Sequence, residues 1–182
     1  MSGRWPYPRP MSTYLQRLLG YNTWATQGLL DFLGTMPPET LDLAAGGTYG
    51  TVRATTLEHL LTSELSYQRR LAGLPRYDPG DRPEHPDLAD LQRLADESGA
   101  ALAALADALP EPGTRLPTST GQRAAATILT QLVMHAVEHR AHVGTILGAN
   151  GIEPPDLDSW AHGIRVHSDD WPPDWGPEPA QR

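Results

Sequence analysis

Hydrophobic positions recur with helical spacing in four long segments of the chain. These segments cover residues 12–34, 51–72, 86–109 and 122–149. In each of them apolar residues return every three or four positions, which is typical of a helix with one buried face. The fourth ends at "GANG", a common way to close a helix. The pattern predicts an all-α protein, an antiparallel four-helix bundle.

The stretches between these segments are rich in helix-breaking residues. The chain has 17 glycines and 18 prolines, which concentrate outside the four segments. Residues 112–121 offer a weak signal for a β-hairpin, and we predict a loop there. Residues 160–182 are rich in tryptophan and proline and predict an irregular C-terminal tail, either packed by its tryptophans or partly disordered. We therefore expect a bundle domain over 12–159 followed by this tail.

The composition narrows the classes of protein. With 182 residues, 39% of them hydrophobic, the chain can bury one sizeable core. No stretch of about eighteen apolar residues suggests a membrane span, and no signal peptide is evident at the start, so we expect a cytoplasmic protein without a membrane partner. The absence of cysteine excludes disulfides, thiolate ligands and a cysteine nucleophile. A metal would have to be bound by imidazole, carboxylate or water.

The charged residues exclude two further kinds of chemistry. The formal net charge is −8, and the fourteen basic residues are all arginine. The arginines are spread along the chain rather than clustered, so we expect no nucleic-acid partner. Without lysine, the protein cannot form a Schiff base through its own side chain.

Four histidines lie at informative positions of the second and fourth segments. On a helical wheel, His139 lies within the apolar face of its segment, His135 at the edge of that face and His142 beyond it. His59 flanks the apolar face of the second segment. Two histidines one turn apart can chelate a divalent ion, although this spacing also suits imidazoles that form hydrogen bonds at the edge of a core.

Two charged residues also fall on apolar faces. Glu64 lies on that of the second segment and Arg140 on that of the fourth. Buried charges are costly unless they meet, so we predict that these two side chains pair and brace the helices that carry the histidines. Asn22, on the apolar stripe of the first segment, is a candidate hydrogen-bonding residue near the site. Glu58 and Glu138 adjoin histidines but point away from the core, so neither is a convincing general base.

Four stretches of the chain, in order, resemble the DinB/YfiT-like metalloenzymes. They are "YNTWATQGLLDFLGTMPPETL", "TVRATTLEHLLTSELSYQRRLAG", "STGQRAAATILTQLVMHAVEHRAHVGTIL" and "GIEPPDLD". The family pattern has a His on the second helix, H-x3-H-R on the fourth and then G-x-x-P-P-x-x-D. His59, His135, His139 with Arg140, and residues 151–158 match it. Family members commonly continue "HRGQ", whereas this chain has "HRAH", which adds His142.

The resemblance implies an up-down-down-up four-helix bundle, a divalent metal site and frequently a homodimer. It implies His59, His135 and His139 as the metal ligands, with zinc or nickel as the expected ion. Three neutral imidazoles leave positions open for water or substrate, as in catalytic sites. Relatives include enzymes that use low-molecular-weight thiols, such as mycothiol- or bacillithiol-dependent S-transferases. The leading prediction is therefore a metal-dependent transferase that joins a small thiol to an electrophilic small molecule.

Two other functions suit the same residues. A hydrolase would use water activated by the metal, and a non-catalytic, stress-related protein would only bind a metal or ligand. In the enzymatic interpretations, His142 lies one turn past His139 and is a candidate proton shuttle or second-shell partner of the ligands.

Overall fold

The computed structural model describes residues 11–78 and 85–167, and this part of the chain is mostly helical. Four long helices correspond to the four segments with helical spacing: α1 (Met11–Gly34), α2 (His59–Leu71), α3 (Leu88–Leu105) and α4 (Ala125–Ala149). A short 3-10 helix, Pro38–Asp42, follows α1. A π-helix, Val52–Glu58, leads directly into α2, so the second predicted segment is helical almost throughout but changes its hydrogen bonding at His59.

The prediction of a loop over 112–121 was wrong. Strand β1 (Arg115–Thr118) pairs with β2 (Gly121–Ala124) in an antiparallel hairpin, with Thr118 opposite Gly121. Gly121 has a φ of 106°, a conformation that glycine adopts without strain. Because residues 121–124 belong to this hairpin, α4 begins at Ala125 rather than at residue 122.

The C-terminal segment also differs from the expected irregular tail. Residues Ser159–His167 form a helix, α5, which packs against α1. The Asp158 carboxylate accepts a hydrogen bond from the Ala161 backbone N–H at 2.8 Å and so caps the first turn. The remainder of the predicted tail, including Trp171 and Trp175, lies outside the described residues.

Side chains of all four long helices contribute to the apolar core, which consists of two buried clusters. Both α1 and α2 pack against α3 and α4. The largest fully buried side chains are mainly leucines, and all four helices supply them, for example Leu30, Leu60, Leu91 and Leu147. Burial of one such side chain stabilises the fold by about 1.5–3 kcal/mol. Among the described residues, no helix combines the length and the apolar character needed to cross a membrane.

A buried polar link crosses this core between α1, α2 and α4. Asn22, Glu64 and Arg140 are 0%, 2% and 9% exposed. The Asn22 side-chain amide donates a hydrogen bond to Glu64 Oε1. Arg140 Nη1 donates to Asn22 Oδ1 at 3.0 Å and to Thr26 Oγ1 at 2.9 Å.

The predicted burial of Glu64 and Arg140 is therefore confirmed, but their predicted direct pairing was wrong. Asn22 lies between them and uses both ends of its amide, donating to the carboxylate and accepting from the guanidinium. Burial raises the pKa of Glu64 to about 7, although Arg140 and hydrogen bonds from Ser98 and Asn22 oppose that rise. Part of the desolvation cost of the carboxylate thus remains uncompensated in the folded protein.

We expect substitution of Glu64 to change how stability depends on pH. The pKa of Glu64 is about 7 in the folded protein against an ordinary value of 4.5. Its contribution to stability is therefore fully present below pH 4.5 and is lost as the pH rises through 7. Since glutamine has no proton to lose, Glu64→Gln should gain stability relative to wild type over this interval, on the order of 2–3 kcal/mol.

Urea unfolding of both proteins at about pH 4.5 and about pH 8 measures this difference. Glu97→Gln, which changes an exposed residue of α3, is the matched control and should follow wild type at both pH values. A free-energy difference between Glu64→Gln and wild type that does not change with pH would contradict the account.

Candidate metal centre

Three histidines from two helices converge into one group. His59 is the first residue of α2, and His135 and His139 lie one turn apart on α4. The Nε2 atoms of His135 and His59 are 3.3 Å apart, and those of His139 and His135 are 3.0 Å apart. One ring nitrogen of each histidine lies within 4.8 Å of the others, in a group that could hold a metal ion.

The spacing of these nitrogens fits a divalent metal. Ligand nitrogens about 2.0–2.1 Å from a tetrahedral ion lie about 3.3 Å from one another, close to the two observed Nε2 separations. The donor set consists of imidazoles alone, which suits zinc or nickel better than magnesium or calcium. The residues therefore fit a three-nitrogen site with positions left for water or substrate.

Electrostatics keep two of these rings in the metal-binding form. Burial, with a smaller contribution from the neighbouring His59, lowers the pKa of His135 to about 4. Burial likewise lowers the pKa of His139 to about 4, with added repulsion from His135, His59 and His142. Both rings are neutral near pH 7, and a neutral imidazole is the form that ligates a metal.

The three rings differ in their access to solvent. His135 and His139 are 8% and 2% exposed, whereas His59 is an exposed residue. This confirms the wheel positions, which put the α4 pair inward and His59 on a flank. The group is consequently closed on the α4 side and open beside His59.

His142 lies next to this group but is not part of it. Its ring is half-buried, and its centroid is 5.9 Å from that of His139. His142 Nδ1 is buried and, within the described residues, has no hydrogen-bond partner. The structure thus separates the extra histidine of "HRAH" from the three converging rings.

Tyr49 is a residue of the site that the sequence pattern did not single out. Its ring centroid lies 5.0 Å from that of His139 and 4.9 Å from that of His142. The loop that carries it contains Gly47 and Gly50, both with positive φ. An aromatic residue among the glycines of "GGTYGT", shortly before the helix of His59, is the signal that could have indicated it.

A comparison with protein families shows the family of the chain. A family model described as DinB family matches residues 11–164. The chain belongs to the DinB family. The match extends past residue 159, the predicted end of the bundle domain, into α5. No curated protein matches the chain. The three histidines of the DinB pattern quoted from the sequence are those whose rings converge here.

We expect metal content to distinguish the three converging histidines from His142. Purified without chelator, the wild-type protein should contain about one divalent ion per chain, and His59→Ala should lose it because two imidazoles rarely hold an ion alone. His142→Ala should keep the ion. Elemental analysis of the three proteins, with exposed His85→Ala as a control, measures this; loss of metal in His142→Ala but not in His59→Ala would contradict the assignment.

Proposed function

We propose that this DinB-family protein is a metal-dependent enzyme that transfers a small thiol to an electrophilic small molecule. The observation that carries the proposal is the convergence of His59, His135 and His139 into a group that is open on one side. A divalent ion bound there, zinc or nickel, would hold a thiol as its thiolate. The thiol and its acceptor would be small molecules supplied from solution.

The protein's own residues would position the metal ligands and accept the thiol proton. Burial in α4 and the hydrogen bonds of the adjacent Arg140 to Asn22 and Thr26 hold His135 and His139 in place. In the transfer, the thiol sulfur forms a bond to carbon, the bond from that carbon to its leaving group breaks, and the electron pair of that bond leaves with the group. The thiol proton must go to a base, and we assign its transfer to the imidazole of His142, which acts as a proton shuttle beside His139.

The positions of the carboxylates near the histidines make hydrolysis a less suitable function than thiol transfer. Metal-dependent hydrolases commonly use a carboxylate close to the metal as the general base that activates water. Glu138 is exposed and accepts a hydrogen bond from the Tyr49 hydroxyl at 3.5 Å. No carboxylate of the described residues belongs to the group of converging donor atoms. A thiol, which is far more acidic than water, has less need of such a base.

The proposal includes the antiparallel four-helix bundle and the homodimer expected from the resemblance. The pairwise packing of α1 and α2 against α3 and α4 supports the bundle. Tyr14 and Leu18 on α1 and Val166 on α5 are exposed apolar side chains available to a second copy. Light scattering that gave the mass of a single chain would refute the dimer.

Activity towards thiols and esters tests the proposed reaction. We expect metal-loaded protein to accelerate conjugation of small thiols to a chlorinated aromatic electrophile, and His139→Ala to lower the rate by at least about 100-fold because a ligand is lost. His142→Gln should keep its metal and react about 10–100-fold more slowly. Ester hydrolysis without thiol transfer would indicate a hydrolase, and no activity on either panel would indicate a binding protein.

A further inference from the structure

A second feature adjoins the open side of the three histidines. A cavity of about 210 Å³ lies along α2 and is bordered by the segment that follows α2 and by the turn of the hairpin. Its lining includes His59, Arg70, Arg76 and several hydroxyl groups. The cavity therefore begins at the exposed metal-site histidine and contains two guanidinium groups.

Helix α2 supplies one wall of this cavity. His59, Ser63, Ser66 and Arg70 recur every three or four residues and so share one face of the helix. The rise from residue 59 to residue 70 is about 16 Å. Helical side chains lean towards the N-terminus, so the long Arg70 side chain can cover part of this distance, while the shorter His59 ring leans in the same direction. A ligand that contacts both residues must therefore be elongated.

The charge of the cavity is opposite to that of the chain. The formal net charge is −8, yet the described residues that line the cavity include two arginines and no Asp or Glu. Arg53 and Arg93 elsewhere form ion pairs with Asp42 and Asp90. Within the described part of the chain, no carboxylate pairs with Arg70, which is half-buried on the cavity wall. Guanidinium groups bind carboxylates and phosphates through paired hydrogen bonds.

Hydroxyl groups add further donors around the guanidiniums. Thr62 and Ser66 use their hydroxyls on backbone carbonyls of their own helix. Ser63 and Ser119 also line the cavity and, in the part of the chain that the structure describes, make no hydrogen bond within the protein. They are available to a ligand oxygen.

We propose that this cavity binds the oxyanion end of the substrate, a carboxylate or phosphate held by Arg70 and Arg76. This inference rests on the proposed function in one respect, because it places the reacting end of the same molecule at the three histidines. The substrate class is then an elongated small molecule with an acidic group several bonds from its thiol or electrophilic carbon. The two arginines would select anionic substrates over neutral ones.

Two hydroxamates that differ only at the far end test the proposal on metal-loaded protein. Adipic monohydroxamate carries a carboxylate where hexanohydroxamate carries a methyl group, and both bind metal through the same hydroxamate. We expect the adipic compound to bind wild type about tenfold or more tightly than the neutral one. The ratio should fall to about one in Arg70→Gln/Arg76→Gln and persist in Arg93→Gln/Arg165→Gln, which removes the same charge elsewhere.

A second titration keeps this result independent of the proposed function. Sulfate, measured by calorimetry at low ionic strength on each protein as isolated, requires neither metal nor activity. Weaker binding to Arg70→Gln/Arg76→Gln than to wild type and to the control supports the oxyanion site even if no thiol transfer is found. Equal sulfate binding and equal hydroxamate ratios in all three proteins would overturn it, whether or not the protein proves to be a transferase.

Discussion

The hydrogen bonds that run from Glu64 through Asn22 to Arg140 hold together the helices on which the candidate site depends. Asn22 is fully buried and satisfies a carboxylate at one end of its amide and a guanidinium at the other. Groups of this kind are costly inside a protein unless their partners are correctly placed. The link therefore favours one relative position of α1, α2 and α4. His139 immediately precedes Arg140, and His59 lies on the helix of Glu64, so the same position brings their rings together.

From this constraint follows the asymmetry of the site. The α4 side is buried, which lowers the pKa of His135 and His139 and keeps their nitrogens neutral. The α2 side is exposed at His59 and continues into a cavity lined by arginines and hydroxyls. In the proposed function, a reacting molecule would approach the three nitrogens from this side, and its acidic end would meet the positive charge of the cavity. The buried α4 side holds two of the donor atoms in place, and the exposed side beside His59 is where the protein would select among substrates.

The sequence predicts the features that depend on local periodicity. The spacing of leucines located all four long helices. The wheel positions also predicted correctly that the side chains of His135, His139, Glu64 and Arg140 are buried, because spacing along a helix determines the direction of each side chain. The hairpin was missed because both strands have only four residues and no buried face. The role of Asn22 depends on contacts with residues 42 and 118 positions away, which periodicity does not encode. Tyr49 reaches the site from a loop, for which no spacing rule applies.

The central claim is that three histidines, held by this buried link, bind one metal ion and leave part of its coordination open. X-ray absorption spectroscopy of the metal-loaded protein counts imidazole ligands through their characteristic outer-shell scattering. The account predicts three imidazole nitrogens at about 2.0–2.1 Å, with the remaining positions filled by non-histidine oxygen from solvent. A spectrum that required a fourth imidazole, supplied by His142, or that contained fewer than three would contradict it.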